Sequence, residues 1–148
     1  MKKLLLSLAL TLAMLAGIPT HAAERGTADE AKALATRAAQ YLKENGPDKA
    51  FAAFQDPAGS FRDRDLYVVV QDDKVMLLSH PNAALRGKSM ADMMDVDGKP
   101  FARDISAIKD AGQVEYKYQN PQTKKVEPKV TYVVRVGEYT VGVGAYKN

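Results

Sequence analysis

Apolar residues recur at helical spacing early in the chain and at strand spacing late in it. Ala28, Ala31, Leu34, Ala35, Ala38 and Leu42 fall on one face of a 3.6-residue period. Thr27 precedes them with Glu30 three residues on, a capping box in which each side chain takes a backbone N–H at the helix start. Asn45-Gly46-Pro47 ends the run, because Gly accepts a left-handed cap and Pro breaks the hydrogen-bond ladder. The stripe is mostly alanine, so this helix can lie close to its support. A second short helix carries Phe51 and Phe54 and stops at Asp56-Pro57.

Strands follow. Leu66 to Gln71 is nearly all apolar, as a strand covered on both faces should be. Asp72-Asp73-Lys74 predicts a turn, and Val75 to His80 the return strand of a hairpin. Pro81 to Pro100 is rich in turn residues, with a short helical piece expected around Met90 to Met94. Phe101, Ile105 and Ile108 predict another helix, closed by Gly112. Val114, Tyr116 and Tyr118 then alternate with polar residues, as do Val130, Tyr132, Val134 and Val136. Gly137-Glu138 turns the chain into a last strand, Tyr139 to Tyr146. Hairpin-linked strands make the sheet antiparallel, and the whole reads as a single α+β domain.

The first residues stand apart. Lys2 and Lys3, the apolar run Leu4 to Ile18 and the small-residue site Thr20-His21-Ala22 match a cleaved signal peptide, residues 1–22, ahead of a domain spanning 23–148. The run is short for a membrane span of about 20 residues. Leaving out Lys2 and Lys3 reduces the net charge from +3 to about +1, which gives little support to nucleic-acid binding. An exported chain with no cysteine has neither disulfides nor a lipidation site. A periplasmic protein that does not span the membrane is the expectation.

The same counts narrow the chemistry. Beyond the signal the only histidine is His80, so metal sites built on His pairs or Cys clusters are excluded and no cofactor is expected. Ser79 should point to the opposite side of its strand from His80, which rules that pair out as nucleophile and base. Asp95-Val96-Asp97-Gly98 places ligand types at three calcium-loop positions, but Met93 would stand first and Asp104 last, so a polar turn is the better account. Gly142-Val143-Gly144 lies within a strand, where glycine permits close approach.

Tyr67, Tyr116, Tyr118 and Tyr132 fall on strands. With His80 and Lys129 they could bind a small carboxylate through charge-assisted hydrogen bonds. Plainer alternatives exist for each: core or surface tyrosines, a solvated edge lysine, a histidine capping the loop before Pro81. Strand parity also puts Lys129 and Tyr132 on opposite faces, unless a bulge intervenes or the strand starts after Lys129.

These pieces, taken in order, resemble the single-Cache family of PAS-like extracellular sensor domains. The resemblance is carried by the alanine-rich helix ending Asn45-Gly46, by Lys49-Ala50-Phe51, and by Phe61-Arg62-Asp63-Arg64-Asp65-Leu66-Tyr67-Val68. It continues through His80-Pro81-Asn82, Leu85, Gly87-Lys88, Asp97-Gly98-Lys99-Pro100-Phe101, Tyr116-Lys117-Tyr118, Asn120-Pro121 and Glu127-Pro128-Lys129 with Tyr132-Val133. It implies a long N-terminal helix across an antiparallel sheet of about five strands, with a ligand pocket on the sheet's other face. It also implies Tyr67, His80, Tyr116, Lys129 and Tyr132 as pocket residues, and Tyr118 and Phe101 as walls. Tyr118 stands where relatives often carry tryptophan, and Lys124 where a turn glycine is usual. The sequence stops soon after the last strand, so a membrane receptor or kinase is the expected partner. The function implied is capture of a small organic molecule, a short carboxylate above all, without catalysis, by a periplasmic sensor module that presents it to a membrane partner. An accessory subunit that keeps the fold and binds protein instead is the alternative.

Overall fold

The computed structural model describes residues 24–147, so the expected signal segment lies outside the described residues. Helix α1, Ala28–Asn45, carries the capping box: Glu30 N donates to Thr27 Oγ1 at 3.2 Å, and Thr27 N to Glu30 Oε2 at 2.7 Å. Gly46 adopts φ 76°, a conformation glycine enters without strain, and Pro47 starts α2, Pro47–Gln55. Six strands follow: β1 Arg62–Asp63, β2 Leu66–Gln71, β3 Leu77–Ser79, β4 Ala111–Gln119, β5 Val126–Val136 and β6 Tyr139–Tyr146. Helix α3, Phe101–Ser106, lies between β3 and β4. The sheet is antiparallel in the order β1-β2-β6-β5-β4, with β3 also paired to β2.

Alternation along the strands builds two different layers. Ala31, Ala35 and Ala38 of α1 bury completely against Val68, Val70, Val141 and Val143. Phe54 of α2 closes this layer, edge-on to Phe61 at 4.8 Å. On the opposite face α3 and the 81–100 loops cover Leu77, Val114 and Val133. Gln71 ties α3 down, with Nε2 donating to Ala102 O and Ser106 Oγ, both at 2.7 Å.

Several sequence expectations shift. Arg62–Asp63 adds a sixth strand, formed as the chain turns through Arg64 at φ 55° and pairs Arg62 with Tyr67. The return strand begins at Leu77 instead of Val75. Asp72 Oδ1 accepts the N–H groups of Lys74 and Met76, and Val75 is left at φ 62°. No helix forms at Met90–Met94, where Met90 N donates to Val75 O and Ser89 bridges Met76. Helix α3 ends at Ser106, well before Gly112, which lies in β4. The Arg135 guanidinium captures the carbonyls of Ser106 and Ile108, satisfying the helix end there. Asp95 accepts backbone N–H groups from Asp97, Lys99 and Lys117, so the Asp95–Gly98 stretch is a turn that braces the edge of β4.

Candidate functional site

Lys129 sits on β5 opposite Tyr116 of β4 and Tyr146 of β6. Paired residues of antiparallel strands share a face, so three strands bring these side chains together. Gly144 makes the room. A Cβ there would stand 2.2 Å from Lys129 Cε and 2.7 Å from Thr131 Oγ1, so the lysine stem lies across bare backbone. The stem carries the ammonium inward, and Lys129 is only 3% exposed.

Aromatic rings surround that charge. Lys129 Nζ donates to Tyr67 Oη at 3.0 Å, and lies 4.7 Å from the ring centres of Tyr67 and Tyr146 and 5.6 Å from that of Tyr118. Burial opposes the ammonium, but the oxygens of Tyr67, Tyr116 and Tyr146 outweigh it and hold the lysine pKa above its usual value. Burial also pushes the Tyr116 and Tyr118 hydroxyls up, so both are neutral phenols at neutral pH. Among the described residues, no carboxylate pairs with Lys129. A buried cation held by neutral groups alone is one that a neighbouring anion would stabilise.

The walls are fixed. Phe101 stacks on Tyr116 with ring centres 4.3 Å apart and planes 4° from parallel, and meets Tyr118 edge-on at 5.7 Å. Tyr116 Oη bonds Thr131 Oγ1 at 2.9 Å, and Tyr146 Oη donates to Gln119 O at 2.8 Å. His80 lies edge-on to Tyr67 at 5.3 Å. Its Nδ1 accepts the Asn82 N–H at 2.9 Å, which leaves the proton on Nε2. Burial, then the charges of Lys129, Arg86 and Arg62, lower the His80 pKa to about 4. Ser79 Oγ contacts Gln55 Nε2 of α2 at 3.4 Å, on the other side of the strand from His80.

Between these walls lies a chamber of about 50 Å³, which shares Tyr67, His80, Leu85 and Tyr118 with an adjoining vestibule of about 280 Å³. A larger groove of about 880 Å³ runs along the outer side of α1, with Arg37 over the Phe61 ring at 5.0 Å. That groove is a surface feature without a buried charge; the convergence of polar groups is at Lys129.

Tyr67, His80, Phe101, Tyr116, Tyr118 and Lys129 all line the chamber. Tyr132 does not. β5 pairs with β6 without a bulge from Lys129 to Val136, so parity places Tyr132 on the α1 side with Val134 and Val136. Tyr146 is the residue the sequence reading passed over. Counting outward from the Gly137-Glu138 turn would have set it opposite Lys129.

Solved structures share this architecture. A methyl-accepting chemotaxis protein from Vibrio parahaemolyticus RIMD 2210633 matches with a TM-score of 0.67 at 20% identity, over 80% of this chain and 86% of that one. The periplasmic sensor domain of a chemotaxis protein matches with a TM-score of 0.63 at 22% identity, over 81% and 90%. A Cache chemosensory domain, solved to explain its carboxylic acid recognition, matches with a TM-score of 0.61 at 20% identity, over 81% and 88%. At these identities the likeness is one of fold. The sequence has no match among curated proteins. The model of the family described as Single Cache domain 2 matches residues 3–148, nearly the whole sequence, and the chain therefore belongs to this family of sensor domains.

Proposed function

We propose that this domain binds a small carboxylate in the Lys129 chamber, without chemical turnover, and presents it to a membrane receptor or kinase from the periplasmic side. The observation that carries the reading is the buried Lys129 ammonium, ringed by Tyr67, Tyr118 and Tyr146 and free of any carboxylate partner among the described residues. A ligand carboxylate would supply the missing charge, with the Tyr67 hydroxyl and the His80 Nε2–H as neighbouring donors. The carboxylic acid recognition of one structural neighbour supports the same chemistry. The division of Ser79 and His80 between opposite faces supports binding over catalysis, since the chamber then holds no nucleophile beside a base.

A thermal-shift screen of the purified protein against short carboxylates, amino acids, amines and purines tests this. A carboxylate at a hundred times its dissociation constant should stabilise the fold by about 2.7 kcal/mol. Lys129→Met keeps the stem but not the charge, and should abolish that response in a folded protein. A response that survives in Lys129→Met would overturn the assignment of the cation. Silence towards every class, in a folded protein free of copurified ligand, would favour the accessory-subunit reading.

A further inference from the structure

The vestibule outside the chamber has cations of its own and no acid among its walls. Arg62 of β1 stands directly opposite Tyr67 of β2, so its side chain rises on the same face, one strand further out. It is only partly exposed. Lys124 approaches from the β4–β5 turn. There its backbone is fixed at φ 62°, with its N–H on Asn120 O at 2.8 Å and its carbonyl accepting Gln119 Nε2 at 3.1 Å.

Both cations are unpaired. Arg25, Arg64, Arg103 and Lys117 each hold a carboxylate within 3.2 Å. Among the described residues, neither the Arg62 guanidinium nor the Lys124 ammonium has a hydrogen bond or an ion pair. Other lysines, Lys74 and Lys109 among them, have no ion pair either; what sets Arg62 and Lys124 apart is that both line one hollow with no acid in its wall. Tyr67, His80, Leu85 and Tyr118 line both the vestibule and the chamber, so the two hollows adjoin, one with Lys129 in its wall and the other with Arg62 and Lys124. The chamber alone, at about 50 Å³, takes little more than a carboxylate and its adjoining carbon. Any longer ligand must leave its far end in the vestibule.

We propose that the vestibule is a second anion subsite, and that the ligand is a short dicarboxylate with one end at Lys129 and the other between Arg62 and Lys124. The guanidinium fork suits a carboxylate bidentately, and Lys124 adds a point charge on the other side. The inference rests on the carboxylate reading of the Lys129 chamber and extends it to the ligand's far end.

The test is calorimetric titration of the protein with matched series, malonate to adipate against the monocarboxylates of equal carbon number. At least one dicarboxylate should bind about tenfold or more tightly than its monocarboxylate, the effect of one charge-assisted hydrogen bond. Arg62→Gln should remove most of that advantage and leave monocarboxylate affinity unchanged, with Lys124→Gln giving a smaller loss. A melting temperature close to that of the unaltered protein shows that each variant is folded. Lys129-dependent monocarboxylate binding with no dicarboxylate advantage would overturn this inference alone. So would an advantage that survives in Arg62→Gln and Lys124→Gln together. Absence of binding by both series would overturn the carboxylate reading and this inference with it.

Discussion

The two faces of the sheet are built from alternate residues of the same strands, yet they follow opposite rules. On β6, Val141, Val143 and Ala145 are buried under α1, while Gly142, Gly144 and Tyr146 belong to the chamber side. On β5, Val134 and Val136 pack toward α1, while Lys129 and Thr131 face the chamber. The helix face is a mainly apolar layer closed by alanines, with Ser79 its one buried hydroxyl among the described strands. The other face buries a charge, a glutamine and two threonines. A layer of that first kind contributes most of the stability, at about 25 cal/mol per Å² of apolar surface removed from water. The second kind is tolerable only because the first is present. The division lets one side hold the fold while the other carries recognition.

Phe54→Ala strikes the first face hardest. Phe54 is fully buried between Tyr41 and Phe61, so its loss should cost about 3–5 kcal/mol in chemical denaturation. Carboxylate affinity of the protein that remains folded should stay within about twofold, since additivity holds for distant sites. An affinity loss of tenfold or more in folded protein would show that the faces are coupled and would break the comparison.

Lys129→Met should do the reverse. It removes a buried cation that the Tyr67 hydrogen bond and the surrounding rings hold in its charged form, so the ligand-free protein should lose only about 1 kcal/mol while binding is lost. A gain in stability would mean that burial of the charge outweighs those contacts.

Gly144→Ala is a finer probe. The added methyl needs the space of Lys129 Cε, 2.2 Å away, and of Thr131 Oγ1. Overpacking of this kind costs about 1–3 kcal/mol. The lysine should swing out of register and weaken carboxylate binding by about tenfold. Gly142→Ala meets Thr131 Cγ2 at 3.0 Å and should be milder. Equal effects at the two glycines would remove Gly144 from its assigned part in placing Lys129.

The sequence revealed the helix face more fully than the chamber, for a physical reason. Helix α1 and its caps are local: Thr27, Glu30, Gly46 and Pro47 act within one turn of themselves. Parity on β5 is local too, and it correctly separated Lys129 from Tyr132. Tyr146 needed a register counted across a hairpin. Arg62 needed a two-residue strand that forms only because β2 is there to pair with it. The ends of β3 and α3 were missed because side-chain to backbone hydrogen bonds set them. Asp72 takes the N–H groups of Lys74 and Met76 in the turn that leaves Val75 left-handed, and Arg135, 29 residues away, takes the last carbonyl of α3. Site residues assembled from four strands are legible one at a time. Their convergence is a property of the register.

The smallest expected effect lies on the chamber side and depends on pH. His80 is neutral in the fold because burial, then Lys129, Arg86 and Arg62, lower its pKa to about 4, against 6.5 for a free histidine. The unfolded chain therefore binds more protons than the folded one between those values, so stability must fall as pH drops through the window from about 6.5 to 4. His80→Asn keeps an acceptor for the Asn82 N–H and removes the titration. Between pH 7 and pH 5, the unaltered ligand-free protein should lose roughly a few degrees more in melting temperature than this variant. A bound carboxylate faces the same imidazole and offsets the three cations around it. It raises the His80 pKa above about 4, so carboxylate affinity should rise as pH falls toward that value. In His80→Asn that rise should vanish. Parallel melting curves for the two proteins would place His80 in water instead of in the charged chamber, and would make this edge of the recognition face as ordinary as the helix side.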